Sequence, residues 1–196
     1  MDTSNIKSLL SSIAILLTFV GYVPYIQSIL KKKTTPHLYS WCIWALDGLI
    51  IFALQITHGA GAGALVALSA TLLSITVIIL TIRNKHKQDI TITDKLYAIT
   101  ALIALGLWIV AKQPLLSAIL IIMVDVLGFL PTVRKSWNKP FSENPLFYAI
   151  NVIRFAFTYA SLKEYSLITT LYPSVWFFGN IFFTLLLITR KNTLKK

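Results

Sequence analysis

One cysteine is present, Cys42, and it lies inside an apolar run. A single thiol excludes an internal disulfide, and it has no neighbours at metal-ligand spacing. Charge is also scarce: 13% of the 196 residues are charged and 56% hydrophobic, for a mean hydropathy of +0.74. A water-soluble domain of this size could not hide so much apolar side chain and would need more charge to stay dissolved. Acids are scarcest, with 7 Asp and Glu against 18 Lys and Arg, leaving a net charge of +11. That excess does not imply nucleic acid, because the basic residues stand in short segments between apolar runs, where the positive-inside rule puts them.

Other signals are missing too. Gly59, Gly61 and Gly63 form a flexible turn with no following Lys-Ser/Thr, so they are not a phosphate loop. No nucleophile and base can be paired, so no enzyme is expected, and neither is a cofactor or metal. His37, His58 and His86 stand in or beside loops without convergent partners and read as solvated. Asp2 precedes Lys7, and the first apolar run continues into a Pro-containing helix, unlike a cleavable signal.

What is present is a series of apolar runs, each near the ~20 residues a helix needs to cross a bilayer. They are Ile6 to Leu30, broken near Gly21 and Pro24; His37 to Thr57; Ala64 to Ile82; Lys95 to Ala111; Leu115 to Val133, with Gly128 and Pro131 inside; Pro145 to Leu162; and Leu167 to Thr189. The fold class expected is an all-α membrane protein with seven transmembrane helices. With the N-terminus outside and the C-terminus cytoplasmic, fourteen Lys and Arg fall on the inner side and only Lys7, Lys112 and Lys163 on the outer, with Arg154 inside a helix.

An ungapped shift of 107 residues superimposes Gly21 on Gly128, Pro24 on Pro131, Ala53 on Ala160, and Leu80-Thr81-Ile82-Arg83 on Leu187-Ile188-Thr189-Arg190. The chain therefore reads as one transmembrane domain of two three-helix repeats, 1–83 and 113–196, joined by a linker, 84–112, that contains the fourth helix. Three spans reverse direction, so one extra crossing sets the two bundles parallel in a 3+1+3 plan.

Gly-Tyr-Val-Pro-Tyr-Ile-Gln (21–27), a Lys-Thr-Thr-Pro loop, Ser40-Trp41, and the echo Gly-Phe-Leu-Pro-Thr-Val-Arg-Lys-Ser-Trp (128–137) resemble the PQ-loop/SWEET-like transporter superfamily, above all its bacterial seven-helix members. Tyr25 and Thr132 stand where the Gln of the Pro-Gln dipeptide would be. The resemblance implies a carrier or facilitator of a small polar solute (sugar, nucleoside, vitamin or amino-acid-like) in a bacterial cytoplasmic membrane. It also implies that Gly21, Pro24, Gly128 and Pro131 act as hinges. Trp176 and Asn180, on the third helix of their repeat, match the family's substrate-binding theme.

Proline inside a helix frees a carbonyl and bends the chain; read from the residues alone, Pro24 and Pro131 serve either as hinges or as static kinks. Asp47, Asp125 and Arg154 lie near mid-span, where each costs roughly 2.5–3.5 kcal/mol on insertion scales and so needs a partner or a task. Asp47 and Arg154 are counterparts at the 107 offset and are expected to interact directly or through water, as an ion pair that fixes the bundle or one that moves with a gate. Asp125, opposite Thr18, is either a proton-coupling site or a simple hydrogen-bond donor. Trp41, Trp44 and Asp47 form a stripe matched by Tyr148, Asn151 and Arg154. Trp41 reads equally as an interface-belt residue.

The substrate-binding set expected is Trp44, Asp47, Asn151, Arg154, Trp176 and Asn180. Expected partners are the bilayer and the solute, with self-association left open. The rival reading is a non-transporting membrane receptor or scaffold on the same bundle; a packed core between the bundles would favour it.

Overall fold

The computed structural model describes residues 3–57, 64–84, 88–110, 114–162, 165 and 167–194. Among them all regular structure is helical: α1 (Thr3–Leu30), α2 (Leu38–Thr57), α3 (Ala64–Arg83), α4 (Ile92–Val110), α5 (Pro114–Asn138), α6 (Pro145–Ala160) and α7 (Leu167–Thr193). A 3-10 turn, Pro140–Ser142, precedes α6. Seven apolar runs thus become seven helices. Among the described residues, two stretches, Asn5–Leu30 and Thr169–Thr193, are long and apolar enough to cross a membrane.

Helix ends follow local chemistry. α1 stops where Lys32 takes a left-handed conformation, φ 56°. The Lys33 amide then donates to the Ser28 carbonyl and the Lys32 amide to Ile29, each at 2.9 Å, a Schellman closure in which Lys sits where Gly is usual. α2 begins one residue after the expected run, so His37 lies in the loop. α4 begins at Ile92 rather than Lys95 because Thr91 and Asp94 form a capping box. The Thr91 amide donates to Asp94 Oδ2 at 2.8 Å, and the Asp94 amide donates to Thr91 Oγ1 at 3.3 Å. Asn144 caps α6 by accepting from the Leu146 amide at 3.0 Å, with Pro145 in the first turn.

The expected break in the first run does not occur. α1 continues through Pro24, α5 through Pro131, and α7 carries Pro173. A proline deletes one donor without ending a helix that neighbouring helices hold in place.

α3 packs on both α1 and α2, and α7 packs on both α5 and α6. α1 lies along α6, α2 meets α5, and α4 lies along α5. The close approaches repeat in number. A Cβ on Gly21 would sit 3.3 Å from Ile150 Cγ2, and one on Gly128 would sit 2.7 Å from Ile43 Cγ2. Both members of the first pair differ by 107 from those of the second. So do two ring pairs, Tyr22–Trp41 and Phe129–Tyr148, with centroids 5.9 and 6.4 Å apart. A second exchange between the halves pairs Tyr25–Phe147, 4.5 Å between rings, with the 2.8 Å hydrogen bond from Thr132 Oγ1 to Ser40 Oγ.

A seam of aromatic rings fills the space where α1 and α2 meet α5 and α6, with Tyr22, Tyr25, Trp41, Phe129, Phe147 and Tyr148 in one buried cluster with Trp176 and Phe183. Trp41, only 1% exposed, is a core residue and not a belt residue. Large apolar side chains also cover the outside, among them Leu16, Leu102, Ile109, Phe178 and Leu185. His58, His86, Gly59, Gly61 and Gly63 lie outside the described residues.

Candidate functional site

Asp47 on α2 and Asp125 on α5 are each 2% exposed, and their carboxyl groups are in hydrogen-bond contact. An ionised carboxylate only accepts, so a bond between two carboxyl groups requires that one of them carry a proton. Asp125 Oδ2 also accepts from Trp176 Nε1 at 2.9 Å, and Asp125 is hydrogen-bonded to Tyr172. The interaction expected between Asp47 and Arg154 is not made as an ion pair: no such contact within 4.0 Å joins them among the described residues. Equal depth on matching helices does not bring two side chains together, and α5 brings Asp125 to Asp47 first.

Arg154 is the third ionisable residue of this region. Its charge is felt by Tyr22 and Tyr172, and its guanidinium stacks over the Phe155 ring, 4.4 Å from the centroid. No acidic side chain pairs with it among the described residues. Three buried polar atoms around this cluster, Trp44 Nε1, Asp47 Oδ1 and Arg154 Nε, have no hydrogen-bond partner. Buried groups left this way are uncommon, and each calls for an explanation such as a ligand.

The remaining expected residues fall around the same cluster. Trp44 is 6.0 Å from Trp176 and 5.7 Å from Phe129, ring to ring. Asn151 and Asn180 are buried, but each amide donates inside its own helix, to the Phe147 carbonyl at 3.0 Å and the Trp176 carbonyl at 2.6 Å. Both keep an amide oxygen. Tyr22, bonded to Ser74 at 2.9 Å, and Tyr172 belong to the site and were not expected there. A tyrosine in an apolar run reads as core, and only its hydroxyl partner reveals otherwise.

The end of the bundle where α1 and α5 finish holds a second polar cluster. Lys135, expected in a basic loop, is buried in the last turns of α5 and donates to Glu143 Oε1 at 2.6 Å. His37, expected to be solvated, is fully buried, with Nε2 3.5 Å from Asp94 Oδ2. Its pKa is lowered to about 4, chiefly by burial and then by the nearby Lys135 charge, with the Asp94 carboxylate only partly opposing them. Arg134 clamps Asp94 with Nε to Oδ1 and Nη2 to Oδ2, both 2.8 Å, tying the start of α4 to α5. Burial pushes the Asp94 carboxyl up, but the Arg134 and Thr91 hydrogen bonds outweigh it and leave the pKa below the usual value.

No family model, curated protein or solved structure matches this chain.

Proposed function

We propose that the chain is a seven-span membrane carrier for a small polar solute, built as two parallel three-helix bundles, α1–α3 and α5–α7, with α4 as linker. The exchanged contacts at an offset of 107 support the duplication, and so does the packing of α3 and α7 on both partners within their groups. The apolar exterior and the one-sided distribution of Lys and Arg support a bilayer setting with the C-terminus cytoplasmic. The likeness to the PQ-loop/SWEET-like superfamily accords with this plan, and a bacterial cytoplasmic membrane is its setting in that reading.

One observation carries the transport reading. At the junction of the two bundles, Arg154, without an acidic partner among the described residues, and the bonded carboxyl pair of Asp47 and Asp125 all act on Tyr172. Ionisable groups at membrane depth are costly and mark solute or ion paths. With one proton on the carboxyl pair, the cluster is neutral overall but strongly dipolar. It suits a solute with an acid group for Arg154 and a donor group for Asp47, held against Trp44 and Trp176. Asn151 and Asn180 would offer amide oxygens. Asp125 is the proton-carrying partner of Asp47 in this reading, and Gly21, Pro24, Gly128 and Pro131 are where the bundles would rock.

The aromatic seam between the bundles favours a second reading, a receptor or scaffold that transports nothing. Uptake into proteoliposomes decides between them, with a panel of sugars, nucleosides, vitamins and amino acids. The carrier reading expects saturable uptake of at least one solute, reduced tenfold or more by Arg154→Ala or Asn180→Ala. Uptake equal to that of empty vesicles across the panel would leave the scaffold, and uptake indifferent to both substitutions would refute the site.

A further inference from the structure

Glu143 is one of the seven acids in the chain, and it stands in the basic segment between α5 and α6. It is 1% exposed, and its carboxylate is fully engaged. Oε1 accepts from Lys135 Nζ at 2.6 Å; Oε2 accepts from Tyr25 at 2.9 Å and from Tyr148 at 3.2 Å. Lys135 donates in addition to the Thr35 carbonyl, and the Thr35 amide donates to the Ser142 carbonyl at 2.8 Å. Lys191 Nζ reaches the Glu143 carbonyl at 2.7 Å.

These bonds sort by helix group. Lys135, Ser142, Glu143, Tyr148 and Lys191 belong to the α5–α7 side, whereas Tyr25 and Thr35 belong to α1 and the loop after it. Three of these bonds therefore cross from one group to the other, Tyr25 to Glu143, Lys135 to Thr35, and Thr35 to Ser142, beside the Thr132–Ser40 bond that crosses at the same end. At the 107 offset, Lys135 and Glu143 answer to Ser28 and Pro36, so one half alone supplies the charges. Packing alone does not call for a buried Lys and Glu, since apolar residues of similar volume do as well or better. Such a pair instead specifies one arrangement of the parts that it joins.

We propose that Glu143 and Lys135 form a latch that holds the basic end of the bundle shut by binding the α5–α7 group to Tyr25 and Thr35. This rests on the reading that the two groups move against each other, not on the identity of any solute. Opening this end breaks the three crossing bonds while the Lys135–Glu143 pair travels with its own group. The Ser40–Thr132 contact, fully buried beside the latch, is the first to become accessible.

Thiol accessibility of the full chain in sealed vesicles of defined orientation tests this. Cys42 is replaced by Ser, and single cysteines are introduced as Ser40→Cys or, at the far end, Leu9→Cys. A membrane-impermeant maleimide is added from the basic side. Glu143→Gln and Tyr25→Phe are each expected to raise the labelling rate of Ser40→Cys at least tenfold and threefold respectively, with Leu9→Cys changed less than twofold. Thermal unfolding is followed in parallel. Unchanged labelling of Ser40→Cys in a folded Glu143→Gln protein overturns the latch. Equal increases at both ends also overturn it, because they mean general loosening. If Glu143→Gln does not fold, the same two outcomes are read from Tyr25→Phe, which removes one crossing bond only. A vesicle preparation that takes up no solute yet shows the expected labelling change sinks the carrier reading and leaves the latch standing.

Discussion

Gly128→Ala is the sharpest probe of how the two helix groups meet. The added Cβ would lie 2.7 Å from Ile43 Cγ2, 3.0 Å from its Cβ and 3.3 Å from its Cδ1. Ile43 is buried and β-branched, so its side chain cannot swing clear by a small χ1 change. Overpacking of this kind costs about 1–3 kcal/mol, while replacing a helical Gly by Ala returns up to ~1 kcal/mol. The net expectation is a loss of about 1–2 kcal/mol, or roughly a 5- to 30-fold change in the folding equilibrium. Gly21→Ala is the built-in control: its Cβ would meet Ile150 Cγ2 at 3.3 Å, a contact relieved by a few tenths of an ångström. Its stability should stay within about 0.5 kcal/mol of wild type. Unfolding by a denaturing detergent in mixed micelles, monitored by circular dichroism, measures both. A double-mutant cycle then removes the obstructing methyls with Ile43→Ala, and at least ~1 kcal/mol of the Gly128→Ala cost should vanish in that background. Additive losses, or a Gly128→Ala protein as stable as Gly21→Ala, would refute the close approach of α5 to α2.

Two further outcomes are expected. The His37 pKa of about 4 lies below the unfolded value of 6.5. Between these values the unfolded chain binds more protons, so stability is full above pH 6.5 and falls as pH drops toward 4, by roughly 3 kcal/mol. Melting curves of wild type and His37→Asn over that range should diverge, with the variant flatter; parallel curves would remove His37 as the cause. Arg134→Lys keeps the charge but cannot make both 2.8 Å bonds to the buried Asp94 carboxylate. It should lower stability by about 1–2 kcal/mol, and hydrogen exchange should quicken in the first turn of α4 around Thr91–Asp94. Unaltered exchange there would mean that the capping box alone secures the turn.

The helices were legible because apolar runs of the right length leave few alternatives, and the two glycines aligned at the 107 offset, Gly21 and Gly128, each mark a close approach. Gly21 and Gly128 do sit where helices of different groups touch. What pairs with what was less legible. Asp47 and Arg154 align in number, yet no ion pair joins them and Asp47 meets Asp125 instead, because an offset says nothing of which way a side chain turns. Asp125 was singled out for its charge, whereas its partners Asp47, Trp176 and Tyr172 come from other helices. Lys135 reads as a loop charge because α5 runs five residues past the apolar segment, to Asn138, and carries it into the interior. His37 hides for the same reason: it precedes α2 beside Asp94, whose position depends on the earlier start of α4.

The unequal assignment of charge between the halves limits what the chain could do without itself. Residues 28, 36, 18 and 47 are Ser, Pro, Thr and Asp, where 135, 143, 125 and 154 are Lys, Glu, Asp and Arg. Two copies of the first half would assemble with no cation at these positions and nothing to fasten the basic end. Two copies of the second would confront one another with duplicate Arg154 side chains and no Asp47 to share a proton with Asp125. In the proposed duplication only one of each balances, and a single continuous polypeptide guarantees that one-to-one ratio.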